Sequence, residues 1–400
     1  MEYPVSFVRE GRATIMIPDL VKHLGQKTHQ VSSKKLPVFY NPRMEFNRDL
    51  SVVVLNAFTK NRKRGIIISE PLTGTGIRGI RYALEVPQVR HIIIGDRDRT
   101  SVELAKKNIS INNVSEKVSI KHMDANLHLS SIAIEKKQVD VVDLDPYGSP
   151  APFLDSAARA VNKNNGLLCI TATDMPALVG IKKRTCIRKY GSVPIKTMYA
   201  HETALRILIA ASVLSITRHG HGTQPILTHS TEHYVRIYLK IHRGKEKAKQ
   251  TVSRLGYVSY CDRCFTREMI TLSEPMGKKC PECGGLLMIG GPLWTDELAD
   301  RSFVIDCIKE AKKLPLGKLK EVLKLLHQID SELEISPTFY DVHVLAKRLK
   351  MSSPPLNIVI SNLRRRGYLA ARTHFNNTAF RTNASAREVM DILKSAAGKR

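Results

Sequence analysis

Acidic residues are in short supply in this chain. Aspartate and glutamate number 37 against 63 lysines and arginines in 400 residues, which gives a formal charge of +26 and a pI near 9.9. The shortage is local too. Met175 to Ala200 carries Lys182, Lys183, Arg184, Arg188, Lys189 and Lys196 without one acid, and Met351 to Arg387 carries Arg364, Arg365, Arg366, Arg372, Arg381 and Arg387 on the same terms. A basic excess of this size implies phosphate partners, and two separate positive faces imply a large polyanion.

Long apolar runs are missing as well. No stretch of eighteen consecutive apolar residues occurs, so no membrane span is expected. Met1 to Pro18 lacks the apolar centre of a secretory signal and instead alternates apolar and polar residues around Glu10-Gly11, the pattern of a β-hairpin. The chain reads as soluble, intracellular and cytoplasmic, with no obligate protein partner called for. No grouping of serine, cysteine or histidine has the form of a covalent catalytic centre. His229 and His233 show no third ligand, and His201-Glu202 fits helix-surface polarity.

Cysteine is sparse and unevenly spread. Of seven, Cys169, Cys186 and Cys307 stand alone, where buried packing is the default. The other four form two CxxC pairs, Cys261/Cys264 and Cys280/Cys283, separated by fifteen residues. Four thiolates at zinc-ribbon spacing can close tetrahedrally around Zn2+, and Gly284-Gly285 supplies permissive backbone just after the second pair. With all four positions filled by protein, the expected role of the zinc is structural.

The most informative segment is Asp143-Leu144-Asp145-Pro146-Tyr147-Gly148-Ser149-Pro150. It follows an apolar run, Val139 to Val142, that reads as a buried parallel strand. Its side chains then emerge at the carboxyl edge of a sheet, where open α/β sheets place ligands. A carboxylate and a backbone carbonyl that accept the two hydrogens of a planar amine hold its nitrogen toward an electrophile, while Tyr147 stacks on the ring. Upstream, the strand Gly65 to Ser69 leads through Gly74, Gly76 and Gly79 into a helix, a tight turn that lets backbone approach a ligand closely. The next strand, His91 to Gly95, ends at Asp96, placed to receive ribose hydroxyls. Asp124 follows a further short strand; either it receives an adenine amine beside the Ala125 backbone or it caps a helix.

Nicotinamide cofactors and S-adenosylmethionine share this ribose logic. The Asp145-Pro146-Tyr147 clamp separates them, because hydride transfer has no use for a planar-amine holder whereas an amino-methyltransferase needs one beside its methyl donor. The expected fold class is α/β, a doubly wound Rossmann-like class I methyltransferase domain followed by a smaller C-terminal α+β domain that holds a zinc ribbon and a winged-helix-like tail. The expected boundaries are 1–245 for the first domain, hairpin included, and 246–400 for the second, with the zinc module at 257–291 and the tail at 300–400. Within them, His242 to Lys249 reads as a hairpin turn or a linker. In the tail, Val342, Leu345, Ala346 and Leu349, then Val359, Ile360 and Leu363, recur at helical spacing, and Tyr368 to Thr382 turns at Asn376-Asn377.

These residues resemble the tRNA (guanine-26-N2)-dimethyltransferases, especially their compact archaeal form, along nearly the whole length. The resemblance is carried by Val38 to Met44 with Asn47-Arg48-Asp49, Gly74 to Arg81, Asp143 to Pro150, Arg188 to Gly191, the four cysteines and Gly291 to Trp294. It implies transfer of two methyl groups in succession from S-adenosylmethionine to the exocyclic N2 of guanine 26 in tRNA. It further implies donor contacts from Arg48, Arg78, Asp96, Asp124 and Ala125, and a base site of Phe39, Asp145, Pro146 and Tyr147. There Asp145 orients the amine and accepts its proton, and Phe39 and Tyr147 sandwich the flipped guanine. Two departures are Tyr147, where phenylalanine is common, and Thr73-Gly74, where Ala-Thr-Gly is expected. The residues alone leave two alternatives: an amino-methyltransferase for another nucleic acid, such as adenine N6 or an rRNA guanine, and a non-enzymatic RNA-binding protein on the same fold.

Overall fold

The computed structural model describes residues 3–24 and 36–397. Its first strands, β1 (Val5–Glu10) and β2 (Ala13–Pro18), pair antiparallel with Glu10 opposite Ala13. The alternation around Glu10-Gly11 predicts this hairpin; Met1 and Glu2 lie outside the described residues. After α1 (Leu20–Leu24) and α2 (Glu45–Thr59), strands and helices alternate: β3 (Ile66–Glu70), α3 (Ile77–Glu85), β4 (Val89–Asp96), α4 (Arg99–Ile111), β5 (Val118–His122), α5 (Ala125–Ile134), β6 (Val141–Leu144), α6 (Leu154–Ala160) and β7 (Leu167–Ala172). Every residue of β6 and β7 is buried. Strands covered on both faces lose the polar alternation and become continuous apolar runs, which is why they are legible as parallel strands.

The chain continues through α7 (Met175–Leu178), α8 (Lys183–Tyr190), α9 (Ala200–Thr217), β8 (His221–Thr231), β9 (Tyr234–Arg243), α10 (Lys245–Val252), β10 (Leu255–Tyr260), β11 (Arg267–Thr271) and β12 (Met288–Trp294). The last part holds α11 (Arg301–Ala311), α12 (Leu319–Glu332), β13 (Tyr340–Asp341), α13 (Val342–Arg348), α14 (Leu356–Arg365), β14 (Ala370–Arg372), β15 (Ala379–Thr382) and α15 (Ala386–Ala397). Seven strands form the main sheet in the order β5-β4-β3-β6-β7-β9-β8, and smaller sheets order as β11-β10-β12 and β13-β15-β14. The stretches β4-β5, β3-β4, β3-β6 and β6-β7 are all parallel.

The charged run after His242 corrects an expectation, because from Lys245 it is helix rather than turn or linker. Ala248 and Thr251 are its buried positions, and Thr251 Oγ1 accepts from Thr223 N at 3.1 Å and donates to Thr223 O at 3.2 Å. That anchor turns a charged run into a one-sided helix.

Two compact units emerge. The first comprises Met1–Thr171, Leu239–Arg243 and Ser302–Leu326; the second comprises Ala172–Tyr238, Gly244–Arg301 and His327–Arg400. In the second, α9 is long and apolar enough to cross a membrane, with mean hydropathy 1.2, yet 78% of it is buried in protein. It also carries charge in that core. Glu202 is completely buried and pairs with Arg206 and with Arg381, each at 2.8 Å, while accepting from Thr338 N. Glu202 is therefore a core ion-pair centre, not the surface polarity that its sequence context suggests. Arg381 likewise leaves the positive face to which sequence assigns it, since its Nε also binds Glu332 at 2.8 Å.

Candidate active site and nucleic-acid interface

The first unit gathers its polar side chains at the carboxyl ends of β4, β3 and β6, which are adjacent in the sheet. The turn between β3 and α3 bends through Gly74 and Gly76, at φ +55° and +81°, values that a side chain resists. Gly79 serves another purpose: a Cβ there would lie 2.6 Å from Ile94 Cγ2, so its absence lets α3 lie on β4. Asp96 is tied into the same turn. Its Oδ2 accepts from Gly74 N at 2.9 Å and its Oδ1 from Asp98 N at 3.0 Å. A carboxylate has about four lone-pair positions, so both oxygens keep acceptor capacity while their direction is fixed. Asp124 is the N-cap of α5, with Oδ1 accepting from Asn126 N and Leu127 N at 2.8 and 3.3 Å. The helix-cap alternative is thus realised, and it aims the exposed carboxyl beside the buried Ala125.

Below the Asp145-Pro146-Tyr147 loop lies a charge cluster centred on Arg78, which is 3% exposed. Its guanidinium donates to Ser51 Oγ at 2.9 Å and Asn47 Oδ1 at 2.8 Å, both on α2, and to Asp145 Oδ2. Asp143, completely buried, is 3.8 Å from Arg78 and accepts from Tyr82 Oη at 2.6 Å. Arg78 thus grips the side chain expected to meet the substrate amine. Arg48 stands in another network. It pairs through two hydrogen bonds with Glu10, at 2.5 and 2.7 Å, and Tyr40 Oη donates to the same carboxylate at 2.7 Å. Burial alone raises the Glu10 carboxyl, but the Arg48 charge and these hydrogen bonds hold it below its ordinary range.

Phe39 and Tyr147 come together, their ring centroids 5.7 Å apart at 67°. That is an edge-to-face contact, not a parallel slot. Tyr147 is 65% exposed and is followed by Gly148 at φ +102°, so its ring has room to turn.

Sequence reasoning passed over Glu70. It ends β3, is 2% exposed, and its Oε2 has no hydrogen-bond partner among the described residues. Burial pushes its carboxyl up to about 8, with Arg78 opposing and Asp143 adding to the effect. Its signal was available: an acid placed between a β-branched run and a glycine turn.

In the second unit the four expected cysteines converge. Their Sγ atoms all lie within 4.8 Å of one another. Gly284 takes φ +68°, and a Cβ at Gly285 would stand 3.4 Å from the Sγ atoms of Cys261 and Cys283, so the glycine pair lets the loop close around them. Cys169, Cys186 and Cys307 are buried, as expected.

A groove of about 810 Å³ in this unit is lined by Lys196 and His201, by Tyr260, Asp262 and Phe265 at the cysteine knuckle, and by Val344, Lys347, Arg348 and Lys350. Arg348 is paired with Asp262 at 3.1 Å. Lys196, Lys347 and Lys350 are exposed. The arginine run that ends α14 is partly engaged: Arg364 Nε donates to Ala370 O at 2.8 Å and Arg365 Nη2 to Asn362 Oδ1 at 2.6 Å.

Comparison with known proteins follows the same lines. The family model described as N2,N2-dimethylguanosine tRNA methyltransferase matches residues 11–394. The chain is 39% identical over 397 residues, 98% of each chain, to a protein of Methanobrevibacter smithii named tRNA (guanine(26)-N(2))-dimethyltransferase. It is 35% identical over 398 residues, 98% of this chain and 96% of the other, to the tRNA (guanine(26)-N(2)/guanine(27)-N(2))-dimethyltransferase of Aquifex aeolicus. In structure it is similar to Trm1 from Pyrococcus horikoshii, solved in complex with S-adenosyl-L-methionine, at a TM-score of 0.85 and 34% identity, covering 97% of this chain and 99% of that one. The mixed seven-stranded sheet is accordingly a class I methyltransferase fold, accompanied by a C-terminal region with a four-cysteine cluster.

Proposed function

The chain belongs to the N2,N2-dimethylguanosine tRNA methyltransferase family and is an S-adenosylmethionine-dependent tRNA (guanine-26-N2)-dimethyltransferase; from that premise we propose that Asp145, held by Arg78, is the group that orients and deprotonates the guanine amine. The carrying observation is the Arg78–Asp145 pair at the carboxyl edge of β6. With one oxygen fixed by the guanidinium, the carboxylate keeps acceptor capacity for an amine hydrogen, and the backbone carbonyl at Pro146 takes the second. The proton leaves the nitrogen toward Asp145 as the new C–N bond forms and the methyl group's bond to the donor sulfur breaks, with the thioether as leaving group. Phe39 and Tyr147 open from edge-to-face to parallel to stack on the extruded base, which contributes about 1–3 kcal/mol.

The residues around the glycine turn fit the methyl donor, as the positive-φ Gly74 and Gly76 and the unpartnered Glu70 Oε2 indicate. Gly74 and Gly76 pass under it, Asp96 receives its ribose hydroxyls, and Asp124 with the Ala125 backbone receives its adenine. When bound, S-adenosylmethionine supplies an electrophilic methyl group. Arg48 and Arg78 border this site from α2 and α3 while keeping the acid partners described above.

The cysteine cluster fits structural zinc, since four thiolates satisfy its tetrahedral preference and leave no open position. We assign catalysis to residues 1–245 and most of the tRNA grip to residues 246–400, with 257–291 as a zinc ribbon and the tail, 300–400, as a winged-helix-like module in which α14 and the β14-β15 hairpin follow α13. The basic groove beside the knuckle seats tRNA phosphates. Replacing Lys347 and Lys350 together with alanine is expected to raise the KM for tRNA several-fold, leave kcat intact and lower the salt slope of binding by about two phosphate contacts. An unchanged slope removes the groove from the RNA-binding surface.

The direct test of the function is nucleoside mass spectrometry of unmodified tRNA transcripts with guanine or adenine at position 26, incubated with protein and S-adenosylmethionine. Dimethylguanosine is expected from the guanine transcript only. Methyladenosine from the other would transfer the assignment to a different amine, and no methyl mass in either would leave an RNA-binding protein.

A further inference from the structure

The segment that carries Phe39 has no regular structure of its own. Leu36 to Asn41 form neither helix nor strand, and burial alternates along them: Leu36, Val38 and Tyr40 are buried, Pro37 and Phe39 half-buried. Successive side chains of an extended chain point to opposite sides, so Tyr40 anchors the segment inward while the Phe39 ring meets Tyr147. The anchor is Glu10, thirty positions away. Its Oε1 accepts from Tyr40 Oη at 2.7 Å and from Arg48 Nη2 at 2.5 Å, and its Oε2 accepts from Arg48 Nε at 2.7 Å. Arg48 Nη2 also donates to Asn41 O at 3.2 Å. One carboxylate thus holds the residue after Phe39 directly and the next one through Arg48.

Glu10 is itself a fixed post. It ends β1, and the hairpin is tied to α4 through two asparagines. Asn108 Oδ1 accepts from Met16 N at 2.7 Å, and its Nδ2 donates to Met16 O at 3.0 Å and to Thr75 O of the glycine turn at 2.9 Å. Asn112 exchanges a similar pair of bonds with Thr14, at 2.9 and 2.7 Å. The Phe39 backbone lies against the same turn, since a Cβ at Gly74 would stand 3.2 Å from the Phe39 carbonyl oxygen. The hairpin, the turn and the Phe39 segment therefore form one hydrogen-bonded frame.

We propose that Glu10 is a positioning residue for base capture: through Tyr40 and Asn41 it sets where the Phe39 ring stands when guanine enters. The proposal rests on the reading that Phe39 stacks on the extruded base. Adjacent Cα atoms are about 3.8 Å apart, so a Tyr40 free to shift carries Phe39 with it. A misplacement of about 1 Å can cost roughly 100-fold in rate.

The probe is a tRNA with 2-aminopurine at position 26, which keeps the 2-amino group of guanine and fluoresces more when unstacked than when stacked on an aromatic ring. It is bound to the full-length protein with S-adenosylhomocysteine in place of the donor, so that no methyl group moves. The wild-type complex is expected to be dim and Phe39→Leu several-fold brighter. Tyr40→Phe removes only the hydroxyl and keeps the Arg48–Glu10 pair; Glu10→Gln sets an amide N–H against the guanidinium. Both are expected to brighten toward Phe39→Leu and to slow single-turnover transfer to a guanine transcript on the order of tenfold, with donor affinity by calorimetry close to wild type. A thermal midpoint measured alongside shows whether Glu10→Gln still folds; Tyr40→Phe carries the test if it does not. Variants as dim and as fast as wild type overturn the role of Glu10, as do variants that are slow but equally dim, or that lose donor binding. If those variants are dim while Phe39→Leu is bright, stacking on Phe39 stands and only the positioning role is lost. If Phe39→Leu is also dim, the stacking reading fails and the proposal with it.

Discussion

Asp145→Ala is expected to lower methyl transfer by on the order of 10³-fold, within the range that a positioned acid–base group supplies. The structure says why the loss is chemical and not architectural. Asp145 lies at the end of β6, partly exposed, while Asp143 remains beside Arg78 at 3.8 Å. Removing Asp145 therefore leaves the guanidinium with an acidic partner and with its hydrogen bonds to Asn47 and Ser51. Calorimetry is expected to show donor binding close to wild type, and tRNA binding is expected to persist because the basic groove is untouched. Asp145→Asn separates the two roles: an amide still accepts one amine hydrogen but cannot take up the proton, so its rate is expected to fall less than that of alanine. Turnover near the wild-type level in Asp145→Ala would dispose of the assignment.

The largest stability effect is expected at Arg81. Its side chain is completely buried on α3 and binds Glu85 through two hydrogen bonds of 2.9 Å and Asp49 at 2.7 Å, with Glu10 at 3.6 Å. Both Glu85 and Asp49 are themselves sealed from solvent at the side chain. Arg81→Met strands these carboxylates without a counter-charge, a change that typically costs about 3–5 kcal/mol. The network also joins Glu10 of the hairpin to the helix that carries Arg78, so loss of stability is expected to bring loss of activity. Chemical denaturation checks the first, with protease sensitivity near Glu10 as a local probe. A triple replacement, Arg81→Met with Glu85→Gln and Asp49→Asn, is expected to recover much of the loss by removing the stranded charges. An Arg81→Met midpoint equal to that of wild type would show that the network contributes nothing net.

Local signals were the readable ones. The glycine turn, Asp96 at the end of its strand, the two CxxC pairs and the fully buried β6 and β7 each declare themselves within a few residues, because a tight turn, a cysteine knuckle or a strand buried on both faces imposes its demand on adjacent positions. The resemblance was readable for the same reason, its marks being short and dense. The charge pattern misled where it was read as surface: Arg381 and Glu202 lie 179 residues apart in sequence and meet in a core ion pair. A count of arginines along the chain carries no information about which of them the fold encloses.

Sequence alone determined the class of fold, the family and the four cysteines that cluster, since each depends on side-chain chemistry in short register. Tertiary structure decided how the site residues are held. Arg78 meets Asp145 across 67 positions, and Glu70 becomes a sealed carboxyl raised toward neutral pH by burial beside two other acids. Phe39 and Tyr147, 108 positions apart in the chain, meet edge to face. The physical reason is that electrostatic energy in a protein depends on burial and distance, and both are set by which strands lie adjacent in the sheet rather than by which residues lie adjacent in the chain.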